Sequence, residues 1–362
     1  MSNATQLEVA FIGMGNVGRA FTRLLARQHE RIESMYGFTV KTVGIATRSH
    51  GSVVSSTGID LLESVDVIEG GAPLTTIAGC IDAGDAWGLL EAATPDIILE
   101  TVPLNPADGE PARGYIRRAL ERGIHVVSAN KGPVAFAYQE LKGLADLHGV
   151  QYRFEGAVMD GTPVFNLVEY CLPGTKILGF AGVLNSTTNL ILGGMERGRS
   201  FEDCLDEARR AGIAEENASY DIDGWDAAVK ATALARVLMN AEALPSQVNR
   251  TGIAEISRAD LINAAAEGNV VRLIARGRTI DSRVELTVKP EAVPISSTLG
   301  SVRGTSNALI LHTDMMGEIA IVETDPGIEQ TAYALLSDVI RIEESERPRR
   351  TGQSSGSGAP TR

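Results

Sequence analysis

Six residues constrain this chain more than any others: "GMGNVG", residues 13–18. They follow an apolar run, "LEVAFI", and precede "RAFTRLLARQ", whose apolar residues recur at helical spacing. Strand, glycine turn and helix in that order begin a mononucleotide-binding unit. Gly13 suits the tight turn, Gly15 a close backbone approach to a pyrophosphate, and Gly18 close helix packing. The helix start at Asn16 and Val17 adds N–H groups and a positive dipole end. The competing reading of the same residues is a tight turn that binds nothing.

Strand and helix then keep alternating. "TVKTVGIATRS" (39–49), "PDIILET" (95–101), "IHVVSA" (124–129) and "VQYRF" (150–154) read as strands, with helical segments before or between them. This predicts an α/β fold, a Rossmann-type doubly wound parallel sheet, over residues 1–154. Near residue 155 the rhythm changes. Alternating runs such as "VVRLIARGRTIDSRVELTVKP" and "NALILHT" predict a sheet with one solvated face. Residues 155–324 are therefore read as an α+β substrate and dimerisation domain. An amphipathic helix at 325–345 is expected to return to the first domain, and 346–362, rich in Gly and Ser, is read as a disordered tail.

Composition narrows the function. With 46 acidic against 33 basic residues, the net charge of −13 disfavours nucleic acid or an anionic membrane as partner. No apolar run approaches the roughly 20 residues a membrane span needs. Three scattered cysteines suit a reducing compartment, so a cytoplasmic enzyme with a small-molecule substrate is expected. The five histidines have no zinc-ligand spacing.

Four further motifs carry chemistry. "SANKGP" puts Lys131 just past a strand, at the sheet edge where open α/β folds bind ligands, and "ETVPLN", with Thr101, ends another strand at the same edge. Lys131 reads either as a cofactor contact or as a surface lysine. "FEGAVMDGTP" starts with Glu155; a carboxylate and loop carbonyls can hold a hard cation, or the loop is a glycine-rich turn with a solvated acid. "NSTTNLI" can cap a helix with its polar residues or hold a substrate carboxylate on its N–H groups. In "YDIDGWDAAVK" (220–230), Asp226 and Lys230 are four apart on one helix face. They form a solvated ion pair or a lysine held for catalysis.

Taken together and in this order, "FIGMGNVG", "ANKGPVA", "FEGAVMDGTPV", "LNSTTNLIL" and "GIAEENASYDIDGWDAAVKATALA" resemble homoserine dehydrogenase, over roughly residues 7 to 343. The resemblance implies reversible NAD(P)-linked conversion of L-homoserine to L-aspartate 4-semialdehyde by a homodimer or homotetramer. It implies Lys230 and Asp226 as the catalytic pair, and Glu215, Asp221, Ser186 and Thr187 as substrate contacts. Gly13, Gly15, Asn16, Val17, Gly18, Arg48, Thr101, Lys131 and Gly327 would meet the cofactor. A sodium ion would sit at Glu155 and the backbone carbonyls of Val158, Asp160 and Thr162. The chain departs from the family pattern at Ile213, in "EENA" (215–218), at Met159 and Asp160, and in "TDPGIE" (324–329). Two other functions are weighed beside this one: a related NAD(P)-dependent amino-acid or semialdehyde dehydrogenase, and a nucleotide-binding sensor without catalysis.

The cofactor expectation is NADP rather than NAD. NAD-binding folds of this type place an acid at the end of the second strand, for the ribose 2′-OH. Here no Asp or Glu occurs between Glu33 and Asp60, and the strand ends in Thr47-Arg48-Ser49-His50. Arg48 suits a 2′-phosphate.

Overall fold

The computed structural model describes residues 4–214, 216–281 and 283–354. The first half is built from β1 (Thr5–Ile12), α1 (Asn16–Tyr36), β2 (Phe38–Ala46), β3 (Ser52–Ile59), α2 (Leu61–Glu69), β4 (Ile81–Asp82) and α3 (Ala86–Ala92). It continues with β5 (Ile97–Glu100), α4 (Ala112–Glu121), β6 (His125–Ser128), α5 (Lys131–His148) and β7 (Tyr152–Arg153). The strands lie in the order β4-β3-β2-β1-β5-β6-β7. From β2 to β7 the pairing is parallel, as the alternation of strand and helix predicts.

Two features differ from the sequence expectation. Helix α1 runs on through "HERIESMY" to Tyr36 and stops at Gly37, whose φ of 68° is the left-handed cap glycine allows. The sheet is also extended antiparallel by β3 and β4. Their Ser/Thr-rich sequence has no clean alternation. The β2–β3 turn is closed instead by Thr47, whose N–H and hydroxyl both donate to the Gly51 carbonyl, at 2.9 and 3.0 Å.

The second half contains β8 (Ile177–Val183), α6 (Ser186–Glu196), α7 (Phe201–Arg210), α8 (Ser219–Ile222), α9 (Trp225–Leu238), β9 (Asn249–Arg250) and α10 (Arg258–Ala266). After these come β10 (Asn269–Ile280), β11 (Arg283–Pro294), α11 (Thr298–Ser301), β12 (Asn307–Thr313), β13 (Glu318–Glu323) and α12 (Ile328–Ser354). Its sheet has the order β13-β12-β8-β10-β11-β9, antiparallel except for β9 against β11. One face packs Leu273, Leu286, Val288, Leu309 and Leu311 into the same apolar cluster as Ala228 and Leu234 of α9 and Val134 and Leu141 of α5. The two halves therefore share a core.

Helix α12 returns to the first half. Ala332, Leu335, Leu336, Val339 and Ile342 recur at helical spacing and pack with Leu7, Phe11, Phe21 and Leu25. Asp338, on the same helix, accepts the Glu155 backbone N–H at 2.9 Å. The helix continues to Ser354, so residues 346–354, expected to lie in a disordered tail, are helical; residues 355–362 lie outside the described residues.

Candidate active site

The glycine turn after β1 is fixed by its neighbours. Gly13 has φ +98°, and a Cβ there would lie 2.7 Å from the Thr101 carbonyl carbon and 2.9 Å from Val102 N. Thr101 Oγ1 donates to the Gly13 carbonyl at 2.9 Å, so the ends of β1 and β5 are locked together. A Cβ on Gly18 would press on the Gly13 carbonyl oxygen and the Met14 sulfur, at 3.1 and 3.2 Å. Gly15 differs: a Cβ there would meet nothing within 4 Å. No protein atom demands glycine at that position, which suits a backbone approached by another molecule. Helix α1 starts at Asn16 without a side-chain cap and without an acid in its first turn. Its open N–H groups and dipole fit the phosphates of a dinucleotide.

Arg48 is exposed at the β2–β3 turn. Ser49 Oγ lies 2.9 Å from His50 Nδ1, and the His50 N–H donates to Thr47 Oγ1 at 2.8 Å. Gly327 opens α12, its carbonyl accepting from Gln330 N at 3.1 Å.

At the same edge of the sheet, two helix N-termini meet. Lys131 is the first residue of α5 and Asp226 lies in the first turn of α9. A lysine at a helix N-terminus opposes the dipole, whereas an aspartate there is favoured. The Lys131 Nζ–Asp226 Oδ1 distance is 2.8 Å, so the aspartate holds the misplaced cation. Lys230, one turn further along α9, is 3.4 Å from Asp226 Oδ2 and donates to the Leu184 carbonyl at 2.7 Å. The pair that might have been a surface feature is buried, with side-chain exposures of 17% and 9%. Lys131 therefore belongs to this cluster and is not a free surface lysine.

Asn185 was not singled out in the sequence, yet it is the hub. Its Oδ1 caps α6 by accepting from Thr188 N at 2.8 Å. Its Nδ2 donates to both Asp221 Oδ1 at 2.8 Å and Asp226 Oδ2 at 2.9 Å. Thr187 Oγ1 donates to Asp221 Oδ2 at 2.9 Å, and Ser186 Oγ to the Thr305 carbonyl at 2.7 Å. The only advance signal was an asparagine in cap position before "STTN". Glu215 lies outside the described residues.

The charges follow from this packing. Burial opposes ionisation of Asp226, but Lys131, Lys230 and the Asn185 amide hold its carboxyl far below the usual range. Burial would lower Lys230, yet Asp226, with Asp160 and Asp221 behind it, keeps it above an ordinary lysine. Asp221 is pushed up by burial and by the Asp226 charge.

The loop expected to hold sodium is ordered by hydrogen bonds of its own side chains. The Glu155 carboxylate accepts three backbone N–H groups, from Val164 (2.5 Å), Phe165 (2.9 Å) and Asn166 (2.7 Å), and so organises the turn after it. Asp160 Oδ1 accepts from Thr331 Oγ1 at 2.8 Å, and Thr162 Oγ1 donates to Glu323 at 2.9 Å. Among the described residues no group of three His, Cys, Asp or Glu can hold a metal. The side chains of Glu155, Asp160 and Thr162 thus order the loop that carries the Val158, Asp160 and Thr162 carbonyls. Glu323 was missed in the sequence; it is buried beneath this loop and also accepts from Asn307 Nδ2 at 3.1 Å.

Hydride transfer needs a dinucleotide cradle and a proton donor at one edge, and these two clusters are joined through Thr101, Val102 and the loop before Lys131. Fold and site are those of a nicotinamide-dinucleotide oxidoreductase with a second, substrate-side domain. Residues 163–340 match the family model of homoserine dehydrogenase, and residues 13–155 that of the homoserine dehydrogenase NAD binding domain. The NAD(+)-dependent homoserine dehydrogenase of Pseudomonas canavaninivorans is 35% identical over 343 residues, covering 94% of this chain and 97% of that protein. Homoserine dehydrogenase of Methanocaldococcus jannaschii is 34% identical, covering 94% and 100%. A hyperthermophilic archaeal homoserine dehydrogenase solved in complex with NADPH superposes with a TM-score of 0.79 at 30% identity, covering 94% and 98%. The chain belongs to the homoserine dehydrogenase family.

The electrostatics give a signed prediction. Asp226→Asn removes the largest influence that raises Lys230. The Lys230 pKa should fall, and the alkaline limb of residual kcat/KM should move to lower pH. A pH–rate profile with the limb unmoved would show that Lys230 is not the titrating group.

Proposed function

We propose that this chain interconverts L-homoserine and L-aspartate 4-semialdehyde, with Lys230 handling the proton and Asp226 holding Lys230 in place. The observation that carries this reading is the buried Lys131–Asp226–Lys230 cluster beside the glycine turn. A bound nicotinamide dinucleotide supplies or accepts the hydride. The Lys230 ammonium has three N–H donors. One is given to Leu184 and one points to Asp226, which leaves the third for the substrate oxygen. In the reducing direction that oxygen gains charge; the ammonium stabilises it and donates the proton. Because Lys230 is held protonated, reduction of the aldehyde is favoured near neutral pH and oxidation of the alcohol at alkaline pH. Asp221 and Thr187 face the same space, and Glu215 is assigned to the substrate ammonium by its place in the sequence.

NADPH oxidation with aspartate 4-semialdehyde tests the reaction. Lys230→Ala should lower kcat by roughly 10²–10⁴ with dinucleotide affinity almost unchanged. A variant keeping more than half of the wild-type kcat would return the cluster to a structural role.

For the cofactor we infer NADP over NAD. Two of the three named relatives point different ways, one NAD(+)-dependent and one holding NADPH. The exposed guanidinium of Arg48 and the lack of any acid from Ser34 to Ile59 favour the 2′-phosphate. One or two charge-assisted bonds at about 1.5–3 kcal/mol each favour NADPH roughly tenfold or more. Arg48→Asp should narrow or reverse the preference. A higher wild-type kcat/KM with NADH than with NADPH would end this assignment.

We also infer a homo-oligomer, a dimer or tetramer, formed through the outer face of the second sheet. Ile280 and Val322 are exposed on the face that carries Ile274 and Ala308, an apolar surface suited to a second copy. Light scattering at micromolar concentration should give a multiple of 38.4 kDa, and a monomer alone would refute it. Among the described residues no helix is long and apolar enough to cross a membrane, and Cys80, Cys171 and Cys204 are all free thiols. The thiols support a reducing compartment such as the cytoplasm.

A further inference from the structure

We propose that Glu100 is a positioning residue for the reaction, setting Lys131 against Asp226 by tying the ends of β5 and β6 to the cap of α5. This rests on the homoserine dehydrogenase reading only for its kinetic arm. Glu100 ends β5 and is fully buried. Its Oε2 accepts from Ser128 Oγ, at the end of β6, at 2.6 Å. Its Oε1 accepts from Val102 N at 2.8 Å and from Asn130 Nδ2 at 3.4 Å.

Each partner leads to the site. Val102 N belongs to the backbone against which the Gly13 turn packs. Ser128 Oγ accepts the Asn130 backbone N–H at 3.0 Å. Asn130 Nδ2 also donates to the Val102 carbonyl at 3.2 Å, and its Oδ1 caps α5 by accepting from Gly132 N at 3.0 Å. Lys131 lies between Asn130 and Gly132, in the backbone that this cap fixes. One carboxylate thus orients the cofactor-side loop and the lysine that meets Asp226.

A structural role alone does not need an acid here. Burying a carboxylate without a cation is costly, and among the described residues no Lys, Arg or His pairs with Glu100. The ionisable groups facing it are phenols: Tyr152 on β7, whose buried hydroxyl has no hydrogen-bond partner, and Tyr138 on α5 beyond it. An acid differs from an amide in that it can take up a proton. Burial pushes the Glu100 carboxyl up to about 7, against the pull of the Ser128, Val102 and Asn130 bonds. The ionised form accepts all three donors. The protonated form must reverse the Ser128 hydroxyl or lose one of them, loosening the Asn130 cap.

The test uses Glu100→Gln and Ser128→Ala in the full chain. Its first readout needs no turnover: acylation of Lys131, followed by peptide mass spectrometry, with exposed Lys142 as reference. In wild type the Lys131 rate, taken as a ratio to that of Lys142 at the same pH, should be low above pH 7 and rise several-fold, roughly, below it, as the carboxyl takes its proton. In Glu100→Gln the protection should be lost at every pH. The second readout is kcat for aldehyde reduction. It should fall roughly 10- to 100-fold in Glu100→Gln, the scale of a misplaced group, with the acid limb near pH 7 flattened. Ser128→Ala removes a bond that lowers the Glu100 pKa, so protection and limb should both move to higher pH. Unchanged Lys131 labelling in both variants overturns the proposal, whatever the activity. Should Glu100→Gln not fold, the direction of the shift in Ser128→Ala decides alone. Changed labelling in a wild-type protein without turnover would keep this inference and reject the reaction.

Discussion

The contact between Lys131 and Asp226 is the constraint on which the rest of the site depends. It joins the N-termini of α5 and α9, and so the nucleotide-side and substrate-side halves of the molecule. A single charge of either sign in so buried a place costs on the order of several kcal/mol. Asp226 is acceptable there because two ammonium groups and the Asn185 amide surround it. Each lysine is acceptable because Asp226 is there. Removing Asp226 therefore leaves both lysines without their partner, whereas removing either lysine leaves Asp226 with one cation. Such a cluster stabilises the fold weakly but fixes one arrangement of its members strongly. Catalysis benefits from that, since the donor is already oriented before the substrate arrives.

Packing supports the same arrangement from behind. Helices α5 and α9 lie side by side, with Gln139 of α5 donating to the Ala241 carbonyl beyond α9, at 3.1 Å. Gly224 begins α9 with φ +80°, and a Cβ there would stand 3.2 Å from Val288 of β11. The first turn of α9, which carries Asp226, therefore sits directly on the second sheet. Helix α12 closes the other side: its Thr331 holds Asp160 and its Asp338 holds the backbone of Glu155. The loop between them is fastened at both ends to the last helix of the chain.

What the sequence disclosed and what it concealed divide by range. The β1–glycine–α1 unit and the Asp226–Lys230 spacing are local, and both were legible from residue type and period alone. The pairing of Lys131 with Asp226 is not local, so Lys131 stayed ambiguous until the two helices were seen to meet. Asn185 was hidden for a related reason. A cap asparagine looks the same whether its amide points to solvent or bridges two carboxylates. The bonds of Glu155 were not legible, because a carboxylate beside glycines fits a cation as well as it fits three backbone N–H groups. The β3–β4 extension was missed because Ser52–Ile59 is rich in Ser and Thr, and its pairing comes from the Thr47–Gly51 turn. Residues 346–354 were read as tail because "ESERPRR" lacks the apolar period of a packed helix.

A net charge of −13 raises a difficulty for a protein that must bind an anionic dinucleotide. Long-range attraction works against the ligand, so affinity has to come from donors that add no net charge to the protein or sit close to the phosphate. The α1 N-terminus is of the first kind, and the absence of any acid in its first turn keeps its dipole uncompensated. Arg48 is of the second kind. The substrate meets the opposite condition. Homoserine and aspartate semialdehyde are zwitterions, and the lysine proposed to meet them feels the charges of Asp226, Asp160 and Asp221, which keep it above an ordinary lysine. Burial raises both Asp221 and Glu323, while the two lysines and the Asn185 amide lower Asp226. Asp226 is thus the carboxylate of the group held most firmly in its charged form, and it is the one that contacts both lysines.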